Sequence, residues 1–111
     1  MPVYRSLTNS SQFRKVLSTG RRARRNGVVI VCTRNGREGA PRIGLVAKAS
    51  RGRAVGRNRA RRRLRAAVTS AAPGGSFDIV ITAGTEVEEL EFQKLVEMLR
   101  EAMHEVGVTC A

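Results

Sequence analysis

Residues 54–72, AVGRNRARRRLRAAVTSAA, join a helical period to a density of positive charge that leaves few ways to fold. Ala60, Leu64, Ala67, Val68 and Ala71 recur at i, i+4, i+7, i+8 and i+11. At about 100° per residue they share one apolar stripe. Asn58, Arg59, Arg61, Arg62, Arg63 and Arg65 fill the rest of the circumference, and Arg57 falls nearer the stripe in the first turn. Such a helix has one docking side: the stripe must lie on an apolar layer and the guanidinium groups must face out. Pro73-Gly74-Gly75 is a strong stop signal after it.

The flanks supply the layer. RIGLVA, residues 42–47, precedes the helix and FDIVITA, residues 77–83, follows it, so a split βαβ crossover is available, of a hand that the pattern leaves open. VVIVCT, residues 28–33, is another strand, and the turn-rich RNGREGAP, residues 34–41, predicts that it pairs antiparallel with residues 42–47. NSSQFRKVLST, residues 9–19, reads as a short helix capped by Asn9 or Ser10, with Phe13, Val16 and Leu17 on one face and a stop at Gly20. Glu86 to Val106 reads as one last helix, with Val87, Leu90, Leu95, Met98, Leu99, Ala102, Met103 and Val106 inward. Glu86, Glu88, Glu89 and Glu91 would suit its positive N-terminus. No repeat or linker divides the chain. The expectation is one α+β domain over residues 1–111: an α/β sandwich with a central sheet of at least three strands and helices packed on it.

The net charge of +12 is unevenly placed. Residues 1–65 hold 19 of the 21 Lys and Arg and a single acid, Glu38, whereas residues 66–111 hold two basic residues against eight acids. The first part is built to grip a polyanion; the last part has an ordinary acidic surface. Eighteen of the 21 basic residues are Arg, whose planar fork matches phosphate oxygens. Codon bias in a GC-rich genome explains much of that ratio, but not the clustering. Arg21, Arg22, Arg24 and Arg25 form a second cluster, which reads alone as a solvated loop and together with Arg51, Arg53 and the helix as part of a broad surface. Asn58 is the one member of the helix run that charge does not explain. Its amide suits a base edge, a ribose hydroxyl, a metal-bound water or a nearby backbone group equally.

Catalytic chemistry is sparse. His104 is the only His and Asp78 the only Asp, so no Ser-His-Asp set is available. The glutamates at 86–91 read as solvated first-turn charges rather than metal ligands, and RGRAVG, residues 51–56, lacks the Gly-Lys-Ser/Thr ending of a phosphate loop. Cys32 and Cys110 belong to no CxxC, one His does not complete a zinc site with them, and two reduced thiols fit better than a disulfide. No run of about 18 apolar residues exists to span a membrane, and MPVYRSLTNS has no apolar signal core, so the cytoplasm is the expected compartment. Phe13 and Leu17, by spacing alone, read as core.

The run RIGLVAKASRGRAVGRNRARRRLRAAV, residues 42–68, resembles the signature region of the bacterial ribonuclease P protein component. Gly44-Leu45 matches its strand, Gly52, Ala54 and Val55 its Gly-x-Ala-Val step, and Arg57, Asn58, Arg59, Arg61, Arg62 and Arg65 its Arg-Asn-Arg helix. LTNSSQFRKVLSTGRR and FDIVITA with the acidic helix after it extend the likeness over nearly the whole chain. The resemblance implies a fold like the second domain of ribosomal protein S5, with a left-handed βαβ crossover. It implies assembly with a catalytic RNA that removes the 5′ leader from precursor tRNA using Mg²⁺ held mainly by that RNA, so that no side chain of this chain is catalytic. RNA binding would fall to Arg57, Asn58, Arg59, Arg61, Arg62 and Arg65 with Arg51, Arg53 and Lys48, and the leader would lie in a cleft with Phe13, Leu17, Val28 and Val31. Neither membrane nor DNA is an implied partner.

Leu17, Val28 and Val31 stand where the family often carries aromatics, and Lys48-Ala49-Ser50 stands for its usual Ser-Lys-Lys. A base stacked on an aromatic is worth roughly 1–3 kcal/mol, so this cleft should lean on phosphate contacts instead. A structural ribosomal protein shares the size and charge, but not the ordered motif and its flanks. A DNA-binding regulator is disfavoured because arginines cover most of the helix surface, where a recognition helix mixes in Asn, Gln, Ser and Thr.

Overall fold

The computed structural model describes residues 4–48 and 54–111. Its elements run β1 (Arg5–Ser6), α1 (Ser10–Thr19), β2 (Arg21–Arg25), β3 (Val28–Arg34), β4 (Arg42–Ala47), α2 (Ala54–Ala71), β5 (Pro73–Gly74), β6 (Phe77–Ala83), α3 (Phe92–Glu105) and β7 (Thr109–Cys110). A five-stranded mixed sheet in the order β1-β4-β6-β3-β2 carries α1 on one face and α2 with α3 on the other; β5 and β7 form a small separate ladder. The three helices and three main strands expected from the sequence are present, α2 with its expected stripe buried: Ala60, Leu64, Ala67, Val68 and Ala71. Burial of side chains such as Leu64 and Val68 contributes roughly 1.5–3 kcal/mol each.

The pairing differs from expectation. β3 and β4 are not partners, because β6 lies between them, antiparallel to β3 and parallel to β4. FDIVITA is apolar at nearly every position, and Ile79, Val80 and Ile81 are all fully buried, so it needs helices on both faces and a partner on each side. Residues 35–41 span that extra strand, a gap of two strand spacings, roughly 10 Å. The crossover β4–α2–β6 is there, but its parallel strands are direct neighbours rather than split by a third.

The cluster at 21–25 is not a loop. It pairs with β3 through a tight turn at Asn26 and Gly27, whose φ values of 39° and 89° are what a two-residue hairpin requires. The single helix expected from Glu86 to Val106 is interrupted. Thr85–Glu89 is a 3-10 turn, Leu90 and Glu91 are extended, and α3 starts at Phe92. Buried Val87 anchors that turn, and its carbonyl accepts a hydrogen bond from the Arg63 guanidinium. Glu86, Glu88 and Glu89 therefore precede α3 instead of filling its first turn.

Asn9 caps α1, its Oδ1 accepting from the Ser11 and Gln12 amides at 3.0 and 3.1 Å. The helix is then latched to the sheet by a charged cluster. Arg42 on β4 donates to both carboxylate oxygens of Asp78 on β6 at 2.8 and 2.7 Å, and to Gln12 Oε1 on α1 at 3.1 Å. Asn35 donates to Asp78 at 2.8 Å. Burial would raise the Asp78 pKa, but the hydrogen bonds of Arg42 and Asn35, with the Arg42 and Arg37 charges, outweigh it and hold the carboxyl below its ordinary value. Cys32 and Cys110 are free thiols, and burial pushes Cys32 up to about 11 against the pull of Arg21 and Arg34.

Replacing Asp78 by Asn should lower the unfolding free energy at pH 7 by about 3 kcal/mol, because Arg42 keeps its burial and loses its charge partner. A carboxyl lowered in the folded state stabilises above the unfolded pKa near ~3.9, and that stability is lost as pH falls through the folded value. Urea titrations of the two proteins should therefore converge as pH drops below about 4.

Candidate nucleic-acid interface

The outward side of α2 is a charged surface of defined shape. Asn58, Arg61, Arg62 and Arg65 line one shallow depression of about 500 Å³, and no acid lines it. Positions three and four apart on a helix are neighbours, which brings these four together. All four are exposed, and the side chains of Asn58, Arg61 and Arg62 make no hydrogen bond or ion pair among the described residues, while Arg65 lies beside the Tyr4 hydroxyl. The Asn58 side chain stands among the arginines that line this depression. Arg59 is exposed one position away, and Arg63, one turn further, is half-buried against the Val87 carbonyl. Arg51 and Arg53 lie outside the described residues, as does the Arg57 side chain.

A second surface lies on the opposite face of the sheet, beside α1. Strand alternation and register set it. Arg22, Val31, Val80 and Gly44 form one cross-strand row, and Arg24, Val29, Thr82 and Val46 form the next. α1 covers the first: Val16, Val31 and Val80 are buried together with Leu7, and Phe13 and Leu17 pack half-buried at the margin. The second row stays open. Arg24, Val29, Lys48, Thr82 and Glu86 line a groove of about 300 Å³ there.

Of the expected cleft residues, Phe13 and Leu17 do border this face. Val31 lies beneath α1, a support for the groove rather than its surface. Val28 is a correction: it points through the sheet into the α2/α3 core and is fully buried, because odd and even residues of β3 face opposite layers. Val29, one position on, faces the α1 side and lines the open groove. Arg24, expected only as part of a broad basic surface, lies in this row with Thr82 and Val46, a register that the Asn26-Gly27 hairpin signal fixes. The same hairpin divides the basic cluster: Arg22 and Arg24 share the α1 face, whereas Arg25 pairs with Glu105 of α3 at 2.7 Å.

Gly44 has a steric reason. A Cβ there would stand 2.4 Å from the Phe13 ring, so the sheet has a notch in which the aromatic edge rests. Among the described residues no three His, Cys, Asp or Glu gather to hold a metal ion, and Asp78 is committed to Arg42. No helix is long and apolar enough to cross a membrane among the described residues.

The family model described as Ribonuclease P matches residues 1–107. The fold is similar to that of a Staphylococcus aureus RNase P protein mutant with defective mRNA degradation activity, at TM-score 0.78 and 17% identity, over 93% of this chain and 88% of that one. It is also similar to the RNase P protein from Thermotoga maritima, at TM-score 0.71 and 25% identity, over 86% of this chain and 92% of that one.

Gly44→Ala should push the Phe13 ring from its notch and cost about 1–3 kcal/mol of stability, read by chemical denaturation.

Proposed function

The chain belongs to the ribonuclease P family, and from that premise we propose that it serves the holoenzyme by binding RNA on two faces of one sheet. The α2 face takes the catalytic RNA through Asn58, Arg61, Arg62 and Arg65, with Arg57, Arg59, Arg51 and Arg53 extending the contact; Lys48, expected there, lines the groove on the other face instead. The α1 groove takes the single-stranded 5′ leader of precursor tRNA between Phe13, Leu17 and the open row of Val29 and Thr82. Arg24 and Lys48 meet its phosphates. The observation that carries this reading is the α2 depression: four exposed donor side chains without an acid among them.

Cleavage itself is assigned to the RNA subunit and its Mg²⁺, which when bound would polarise the scissile phosphate and activate the attacking water. The protein positions. Contacts between arginine and phosphate confer affinity without reading sequence, so the same α2 surface serves RNA of any local sequence whose backbone has the right shape. The groove has one aromatic, Phe13, at its margin, and leader binding is expected to depend on salt more than on base identity. Exposed Glu97, Glu101 and Glu105 make α3 the side turned away from RNA.

Purified protein added to a bacterial ribonuclease P RNA should stimulate removal of the precursor tRNA leader at low Mg²⁺; no stimulation over RNA alone overturns the reading. Arg61→Gln with Arg62→Gln should reduce the slope of log affinity for that RNA against log salt by roughly 1.4–1.8, two phosphate contacts' worth. Val29→Glu should abolish the preference for precursor over mature tRNA while leaving affinity for the catalytic RNA unchanged, as measured by filter binding.

A further inference from the structure

A small cavity of about 170 Å³ lies at the edge of the sheet, between β1 and α2. Its floor is apolar, from Ile43 and Leu45 of β4. Tyr4, Ser6 and Thr8 form one wall, alternate residues of the N-terminal segment that face the same way. Arg61 and Arg65, one helical turn apart, form the other. No acid lines it, so two guanidinium groups share the space unneutralised.

Tyr4 makes the cavity more than a gap. Tyr4 is 9% exposed, packed into the main core, and its hydroxyl is buried with no acceptor for its proton among the described residues. The Arg65 guanidinium stands beside that hydroxyl and acts on it both as a charge and as a donor toward the phenol oxygen; a guanidinium offers no acceptor, so the O–H proton stays unpaired. Burial raises the pKa of the phenol above its ordinary value against the opposing Arg65 charge, so the hydroxyl is protonated and a donor at neutral pH. An unpaired donor in such a place costs roughly 1–3 kcal/mol, and a fold keeps that cost where a ligand removes it. The missing partner must be an acceptor. Two adjacent cations require it to be anionic, and the cavity is small.

We propose that this cavity seats a single phosphodiester group of the catalytic RNA, with the Tyr4 hydroxyl donating to one non-bridging oxygen and Arg61 and Arg65 bracketing the group. The inference rests on the α2 face being the RNA surface, and it gives that surface a fixed point. Arginines on an open helix tolerate sliding along a backbone; a buried hydroxyl at the end of the row does not. Ser6 and Thr8 add neutral donors at the mouth.

Tyr4→Phe is the test, because it removes one oxygen and keeps the packing. It should leave unfolding by urea unchanged or shift it to higher denaturant, since a buried unpaired donor is lost. It should weaken binding to ribonuclease P RNA about tenfold, the size of one charge-assisted hydrogen bond. Binding within twofold of wild type overturns the proposal. Arg62→Gln, outside the cavity, separates the two readings: if it weakens binding and Tyr4→Phe does not, the seat is wrong and the α2 surface stands. If wild type itself fails to bind, the surface reading falls. A second readout needs no substitution. Tyr4 is the only tyrosine, so 3-fluorotyrosine gives one ¹⁹F resonance. That resonance should shift on adding ribonuclease P RNA and hold still with precursor tRNA alone; no shift with the RNA contradicts the seat, and a shift with precursor tRNA alone assigns the phosphate to the wrong molecule.

Discussion

Everything in this chain depends on docking a helix that repels itself. α2 carries Arg57, Arg59, Arg61, Arg62, Arg63 and Arg65 within nine residues, and like charges at such spacing destabilise an isolated helix. What holds it is the stripe of Ala60, Leu64, Ala67, Val68 and Ala71 on the sheet. Alanines keep the helix close to the strands, while Leu64 and Val68 supply most of the buried area. The crossover from β4 to β6 then orients the stripe inward, and the charge is left in the only place open to it. Arg63, the arginine nearest the Val87 turn, is absorbed by a carbonyl. Arg59, Arg61, Arg62 and Arg65 stay exposed, a charge that a polyanion offsets.

The sheet separates two kinds of contact. On the α2 side the surface is a shallow, cationic depression without an acid in its lining, suited to an RNA backbone. On the α1 side a groove is made by stopping α1 short of the last cross-strand row. That short reach follows from Gly20, where a Cβ would stand 2.6 Å from both the Val16 carbonyl and a Val31 methyl, so the chain can turn tightly into β2. The Arg42–Asp78 pair with Gln12 fixes α1 at the other end. The groove is thus defined by two local devices, a close backbone approach and a buried ion pair, and both lie away from the open row.

The elements were legible because their periods were clean: β4 and β6 were read with their observed bounds, and α2 to within one residue. The arrangement was less so. Adjacent apolar runs suggest a hairpin, and only the complete burial of FDIVITA on both faces argues for a strand placed between them. Val28 and Val29 differ by one position and by the whole thickness of the sheet, which composition cannot resolve and the Asn26-Gly27 turn can. The break at Leu90 and Glu91 was hidden because apolar spacing continues through it; the buried Val87 and the Arg63 bond that hold the preceding turn are tertiary. Tyr4 gave no sequence signal at all, since an unpaired hydroxyl exists only once β1 and α2 meet.

The most direct measurement is arginine-selective modification of the protein, free and bound to ribonuclease P RNA, mapped by mass spectrometry. Arg61, Arg62 and Arg65 should react readily in the free protein and be protected in the complex, while Arg100 on α3 reacts at the same rate in both. Equal reactivity of the α2 arginines in the two states, or protection centred on α3, would contradict the assignment of α2 as the RNA-binding face.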